Sequence, residues 1–281
     1  MTGEIRCGDA VEVLKGLEKE SIALTVTSPP YYKQRDYGVS DQIGQEGTLA
    51  EYLERIKEVL RLTLRATDRQ GSCFLVIGDT YHNRKLLLVP HRIAIVADEL
   101  GWVVRNDLIW KKPAPAPESP RNRWRSSHEH ILFLTKRPSG YRFNIDAIRV
   151  PYADVTIRRW GNGQIYGGEK SKRRPNANDS RMRDGQRFTL NPKGCIPTDV
   201  LTVAATTSAT DHYAAFSPEL IRPIIETCSD RGDLVVDPFA GSGTTCLVAN
   251  SLQRRFLGIE LNPEYVRSGN ARLVAPAKRV A

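Results

Sequence analysis

A short apolar stretch, Ile22 to Val26, runs straight into Thr27-Ser28-Pro29-Pro30-Tyr31-Tyr32. The two prolines fix φ and remove two backbone N–H donors, so Ser28 and Pro29 expose their carbonyls in a rigid turn. A hydroxyl, a free carbonyl and an aromatic face held in one rigid turn suit a flat ligand with an amino edge, and a nucleobase is such a ligand. An apolar strand with this ending projects those groups from its carboxyl end, where open α/β sheets bind their ligands.

A second chemically loaded stretch is LVVDPFAGSGTT, Leu234 to Thr245. An apolar strand enters Asp237, turns through Gly241-Ser242-Gly243 and opens a helix. Glycines there let backbone approach a ligand closely, and the helix start offers unpaired N–H groups. The next strand ends in Glu260, a residue placed to hydrogen-bond ribose hydroxyls. The glycines are not followed by the Lys-Ser/Thr of a phosphate loop, and G-x-G-x-x-G is absent. A glycine loop flanked by Asp237 and Glu260 suits a ligand with a ribose and a positive charge but no phosphate. S-adenosylmethionine has that chemistry.

The elements that must position these residues alternate in type. A first strand closes at Gly8-Asp9, followed by a helix over Ala10–Leu17. Leu49, Tyr52, Leu53, Ile56, Val59, Leu60 and Leu64 mark an amphipathic helix, which Gly71 is expected to break. Cys73 to Ile77 reads as a strand buried on both faces. A helix over Pro90–Leu100 and strands over Trp102–Trp110 and Ile131–Leu134 follow. Pro113, Pro115, Pro117 and Pro120 make a stiff connection. Regularity returns with a helix at Pro218–Cys228, a strand at Leu234–Asp237, a helix at Thr244–Leu252, a strand at Phe256–Glu260 and a helix at Pro263–Leu273. Such alternation predicts an α/β fold with a doubly wound, mostly parallel sheet. Residues 1–150 and 211–281 carry this alternation and both motifs, and are expected to form the catalytic and cofactor-binding part. Residues 151–210 are irregular, rich in Gly, Asn, Arg and Lys, and hold much of the positive charge.

The two motifs and their order resemble the S-adenosylmethionine-dependent DNA amino-methyltransferases, specifically the beta class, with the catalytic motif N-terminal and the cofactor motif C-terminal. GDAVEVL, LIWKKPAPAPESPRNRWRSSHEHILFLTK, FSPELIRPII and RRFLGIELNPEYV extend the resemblance over most of the chain. It implies a circularly permuted Rossmann-like methyltransferase fold with a less regular target-recognition lobe at 151–210. It implies catalysis at Ser28, Pro29, Pro30 and Tyr31. It implies S-adenosylmethionine binding by Asp9, Phe216, Asp237, Pro238, Phe239, Gly241, Ser242, Gly243, Thr244 and Glu260. Asp9 would contact adenine, Phe216 and Phe239 the methionine part, and Asp237 the charged amino group. Arg158, Arg159, Lys172, Arg173, Arg174, Arg181 and Arg183 are the expected DNA contacts.

TSPP followed by Tyr resembles the cytosine-N4 group, so the expected reaction is methylation of N4 on a flipped-out cytosine in duplex DNA, within a restriction–modification system. Adenine N6 in DNA is the nearest alternative, with RNA as another possible substrate. A catalytically silent DNA-binding specificity subunit is the alternative of another class. The resemblance also brings a separately acting restriction endonuclease and a homodimer as expected partners.

The remaining composition is that of a soluble globular protein. The chain has 281 residues, 40% hydrophobic and 26% charged, with a net charge of +9 that favours a polyanionic partner. No membrane-length apolar run or signal peptide is seen, so a cytoplasmic location is expected. Five scattered cysteines suggest neither disulfides nor zinc. His128-Glu129-His130 lacks an evident third ligand, so no metal is expected, and its polar residues read as a strand start.

Overall fold

The computed structural model describes residues 3–115, 117–160, 189–205 and 216–274. It divides into two compact units, Met1–Asn144 with Asp199–Ala281, and Ile145–Thr198.

In chain order the first unit begins with β1 (Gly3–Cys7), α1 (Ala10–Gly16), β2 (Ile22–Thr27), α2 (Leu49–Ala66) and β3 (Thr67–Ile77). A small hairpin of β4 (Tyr81–His82) and β5 (Lys85–Leu86) leads to α3 (Val89–Glu99), β6 (Val103–Lys111) and β7 (His128–Thr135). The second unit carries α4 (Asp154–Trp160). The chain then returns with β8 (Val200–Thr202), α5 (Pro218–Cys228), β9 (Leu234–Asp237), α6 (Thr244–Ser251), β10 (Arg255–Glu260) and α7 (Pro263–Val274).

Eight strands form one sheet in the order β1-β10-β9-β2-β3-β7-β6-β8. Every neighbouring pair is parallel except those of β7, which runs antiparallel to both β3 and β6. The expected α/β sheet, doubly wound and mostly parallel, is the one observed. Alternation along β3 explains the double cover. Cys73, Leu75 and Ile77 join one apolar cluster with residues of α1, α2 and α3, while Phe74 and Val76 join a second with residues of α5, α6 and α7.

The sheet order brings the two motifs together. β2 and β9 are hydrogen-bonded neighbours, with Leu24 opposite Val235 and Thr25 opposite Val236. The Ser-Pro-Pro turn and the glycine loop therefore leave adjacent parallel strands at the same edge. Thr27 Oγ1 donates to Asp237 Oδ1 at 2.6 Å, joining positions 210 residues apart.

One local expectation is revised. Helix α2 ends at Ala66, before Gly71, because Thr67 turns extended and begins β3 at once. Gly71 lies inside that strand, where an added Cβ would meet the Ala23 carbonyl oxygen at 2.9 Å, beside the register shift between β2 and β3. Strand β7 begins at His128, so the reading of His-Glu-His as a strand start holds, and the strand opens three residues before Ile131.

The second unit has its own links. Val150 and Cys195 form an antiparallel bridge, and Asp146 pairs with Arg149 and Lys193, each at 2.7 Å. Among the described residues no helix is long and apolar enough to cross a membrane.

Candidate functional site

A cavity of about 410 Å³ opens at the carboxyl ends of β2, β9 and β10. One wall is the Ser28–Tyr31 turn. Another is the Asp237–Ser242 loop with Thr244 and Glu260, and Gly8, Asp9 and Phe216 complete that side. All the expected catalytic residues line this space. So do all the expected cofactor residues except Gly243, which sits behind the loop at φ 82° as the cap of α6. A Cβ on Gly243 would lie 2.5 Å from Ile5 Cδ1, so this position is reserved for glycine by both torsion and space.

Asp237 is almost wholly buried. Its carboxylate accepts hydrogen bonds from Thr27 Oγ1, Thr245 Oγ1 and the Phe239 N–H, at 2.6, 2.6 and 3.0 Å. Burial pushes its pKa up to about 6 against the opposing pull of those bonds. Glu260 accepts from the Gly241 and Asn262 N–H groups, each at 2.8 Å, and burial raises its pKa as well. Each Glu260 oxygen is thus held by a backbone N–H, and the carboxylate as a whole keeps acceptor capacity for a ligand. Asp9 caps α1 through the Glu12 N–H at 3.0 Å while also lining the cavity. Arg272 of α7 braces the glycine loop by donating to the Ser242 carbonyl at 2.7 Å.

The ionisable lining is mostly acidic, with Asp9, Asp41, Glu129, Asp237 and Glu260 against Arg35 and Lys112. That balance disfavours a phosphate and fits the cationic, ribose-bearing ligand expected from sequence.

The Ser28 turn is held from behind. Tyr52 of α2 donates its hydroxyl to the Pro30 carbonyl at 3.1 Å, and the Tyr31 carbonyl accepts the Gln34 N–H. Among the described residues no hydrogen bond falls on the Pro29 carbonyl. The Tyr31 ring packs against Gly78, where a Cβ would come within 2.9 Å of it. Its hydroxyl donates to Glu129 Oε2 at 2.7 Å, and Ser28 Oγ donates to that hydroxyl at 3.3 Å. Glu129 Oε1 is paired with Lys112 Nζ, which in turn lies 4.7 Å from the Trp110 ring centre.

Sequence reasoning missed Trp110, Lys112 and Glu129, all of which line the cavity. The signal was the pairing of β6 with β7, which sets Trp110 opposite Glu129. It also missed the wall formed by Gln34, Arg35, Tyr37, Val39, Gln42 and Ile43. The neighbouring His130 faces the other side of the sheet. Its Nδ1 lies 2.9 Å from both carboxylate oxygens of Asp107, with His91 beside it; among the described residues these three bring their potential metal-ligand atoms close together. Cys73, Cys228 and Cys246 are buried, and burial pushes the first two thiols up to about 12.

Of the expected DNA contacts, Arg158 is exposed on α4, and Arg159 lies on the same helix. Lys172, Arg173, Arg174, Arg181 and Arg183 fall outside the described residues.

Comparison with known proteins gives a consistent picture. The family model described as DNA methylase, covering N6 and N4 enzymes, matches residues 22–271. The Type II methyltransferase M.XycI of Xanthomonas campestris pv. cyanopsidis is 33% identical, over 95% of this chain and 86% of its own length. M.Cfr9I of Citrobacter freundii, also a Type II methyltransferase, is 31% identical, over 92% and 83%. Among solved structures, PvuII DNA methyltransferase, described as cytosine-N4-specific, superposes with a TM-score of 0.72 at 22% identity, over 100% of this chain and 89% of that one. A Thermus thermophilus protein complexed with S-adenosyl-L-methionine superposes with a TM-score of 0.63 at 26% identity, over 96% and 93%.

Proposed function

Since this chain belongs to the DNA methylase family of N6 and N4 amino-methyltransferases, we propose that it methylates the exocyclic N4 of a cytosine flipped out of duplex DNA, within a Type II restriction–modification system. One observation carries the reading: the Ser-Pro-Pro-Tyr turn and the glycine loop leave adjacent strands into one cavity.

The family uses S-adenosylmethionine, which when bound supplies an electrophilic sulfonium methyl. Asp9, Phe216, Asp237, Phe239, Gly241 and Glu260 are the residues of this cavity that would hold it. Pro238, Ser242 and Thr244 shape the same loop, with Gly243 supporting it from behind.

An exocyclic amine is a poor nucleophile because its lone pair is conjugated into the ring. Ser28 Oγ and the unmatched Pro29 carbonyl accept its two N–H bonds. That favours a more tetrahedral nitrogen whose lone pair is free for in-line attack. Pro30 keeps the turn rigid, and the Tyr31 ring offers a surface for the base. Positioning and fixed dipoles supply the acceleration, with no covalent adduct to the base. Unstacking the base costs roughly a few kcal/mol, which contact with the cavity wall offsets. Arg158 and Arg159, with Lys172, Arg173, Arg174, Arg181 and Arg183, are proposed as phosphate or base contacts of the 151–210 recognition region.

The test is incubation with labelled cofactor and mixed duplex DNA, followed by nucleoside analysis and mapping of the modified position. N4-methylcytosine is expected. N6-methyladenine would reassign the base, and absence of any transfer would favour a DNA-binding specificity subunit. Ser28→Ala is expected to reduce transfer by about 1–3 kcal/mol of lost hydrogen bonding while cofactor binding stays intact.

A further inference from the structure

We propose that Glu129 is a positioning residue that fixes the direction of the Ser28 hydroxyl, so that the turn accepts an amino group and rejects a carbonyl. This inference rests on reading the cavity as a site of base amino-methylation.

Donors and acceptors follow one another in a single sense from Lys112 to Ser28. Lys112 offers donors only, and a carboxylate paired with it offers acceptors only. Tyr31 has a single hydroxyl proton, and the 2.7 Å contact to Glu129 Oε2 consumes it. The Tyr31 oxygen can then serve Ser28 only as an acceptor. Ser28 must therefore donate its own single proton to Tyr31, the 3.3 Å contact. What remains on Ser28 Oγ is lone pairs, and Ser28 lines the cavity. The charge at Glu129 is thus translated, through two hydroxyls, into an acceptor facing the ligand.

Three features keep the chain in this sense. Glu129 and Lys112 are largely buried, with side-chain exposures of 15% and 24%, so water does not readily take either place. Tyr31 is pressed on Gly78, which sets its hydroxyl at Glu129. Burial and the nearby Glu129 carboxylate raise the Tyr31 pKa well above that of a free phenol, so it remains a donor.

The consequence is selectivity among bases of like shape. An amino group meets two acceptors, Ser28 Oγ and the Pro29 carbonyl. A carbonyl in the same place meets the same two acceptors and leaves all of them unpaired.

Glu129→Gln tests this with an isosteric change. Lys112 can bond only the amide oxygen, which turns the amide NH₂ toward Tyr31. Tyr31 then accepts from the amide and donates to Ser28, and the Ser28 proton points into the cavity. Tyr31→Phe cuts the chain instead and leaves Ser28 free to rotate. Once the wild-type target is mapped, each protein is titrated with two duplexes that differ only at the target base. One carries the amino base, the other its keto counterpart, uracil in place of cytosine (or hypoxanthine in place of adenine). The amino-over-keto binding ratio is compared between wild type and variant, so the unequal cost of unpairing the two duplexes cancels.

The ratio is expected to fall by about tenfold or more in Glu129→Gln, and by less in Tyr31→Phe, as one hydrogen bond is reversed or freed. Cofactor binding, which uses the other wall, reports that each variant is folded; if Glu129→Gln fails that check, Tyr31→Phe decides alone. An unchanged ratio in a folded variant overturns the proposal, whatever happens to the rate. Absence of methyl transfer by the wild type would instead overturn the functional reading on which it rests.

Discussion

Asp237 keeps its carboxyl almost wholly out of water, 2% exposed and bracketed by two threonines. Thr245 Oγ1 lies 2.6 Å from Asp237 Oδ2 and 3.4 Å from the Val26 carbonyl. With Asp237 ionised, Thr245 donates to it; with Asp237 protonated, the proton on Oδ2 is given to Thr245, whose own proton turns to Val26. Both states are accommodated, and a pKa near 6 places the change within reach. The folded value stands above the ordinary carboxylate value, so Asp237 favours folding while protonated, and that stability is lost as pH rises from about 4 to about 6, on the order of 3 kcal/mol by linkage. A cationic ligand reverses the preference. Cofactor binding is therefore expected to strengthen as pH rises through about 6 and to release a proton below it. Calorimetry in buffers of different ionisation enthalpy checks this, and Asp237→Asn should flatten the profile. At this scale Ser28, Asp237 and Glu260 were legible because each ends an apolar run. Glu129 and Lys112 were not, because nothing local to either names its partner.

Strand β3 shows what an element adds. It is buried along its apolar run on both faces, and it ends at Ile77, one residue before Gly78, whose missing side chain makes room for the Tyr31 ring. An alanine Cβ would sit 2.9 Å from that ring, and the ring is tied through its hydroxyl to Glu129. Gly78→Ala is expected to lower methyl transfer by about tenfold or more, since sub-ångström displacement of a reacting constellation is costly. The accompanying loss of stability should stay within about 1–3 kcal/mol. Steady-state rates beside a denaturant titration separate the two. Helix α2 contributes similarly: its Thr48–Glu51 capping box fixes the start, and Tyr52 one position later reaches the Pro30 carbonyl. Its periodicity was readable in the sequence, but its service to the Ser28 turn was not. The end of α2 was misplaced because Gly71 looks like a helix breaker, whereas its use is to let β2 backbone pass close by.

The whole molecule is held by pairings between distant parts of the chain. β1 is hydrogen-bonded to β10 and β2 to β9, so the start and the end of the first unit share one half of the sheet. The order of strand and helix signals announced the α/β class, and the family resemblance announced the permutation. The placing of β9 beside β2 follows from neither periodicity nor composition, because sheet order is a tertiary property. A ligand held at the ends of β1, β9 and β10 should stabilise this part of the sheet as a unit. Saturation with S-adenosylmethionine at about a hundredfold over Kd is expected to add about 2.7 kcal/mol, seen as a rise in Tm of several degrees. Ser28→Ala should retain that rise, because the proposed role of its hydroxyl is toward the base and not the cofactor. The Thr27–Asp237 bond has one more consequence, in the time taken to make the protein. At a synthesis rate of roughly 5–20 residues per second, the 210 residues between them separate the two halves by on the order of 10–40 s. During that interval the nascent chain carries the Ser28 turn but not its neighbouring strand, so β2 waits with an unpaired edge and the enzyme has no activity until β9 is delivered.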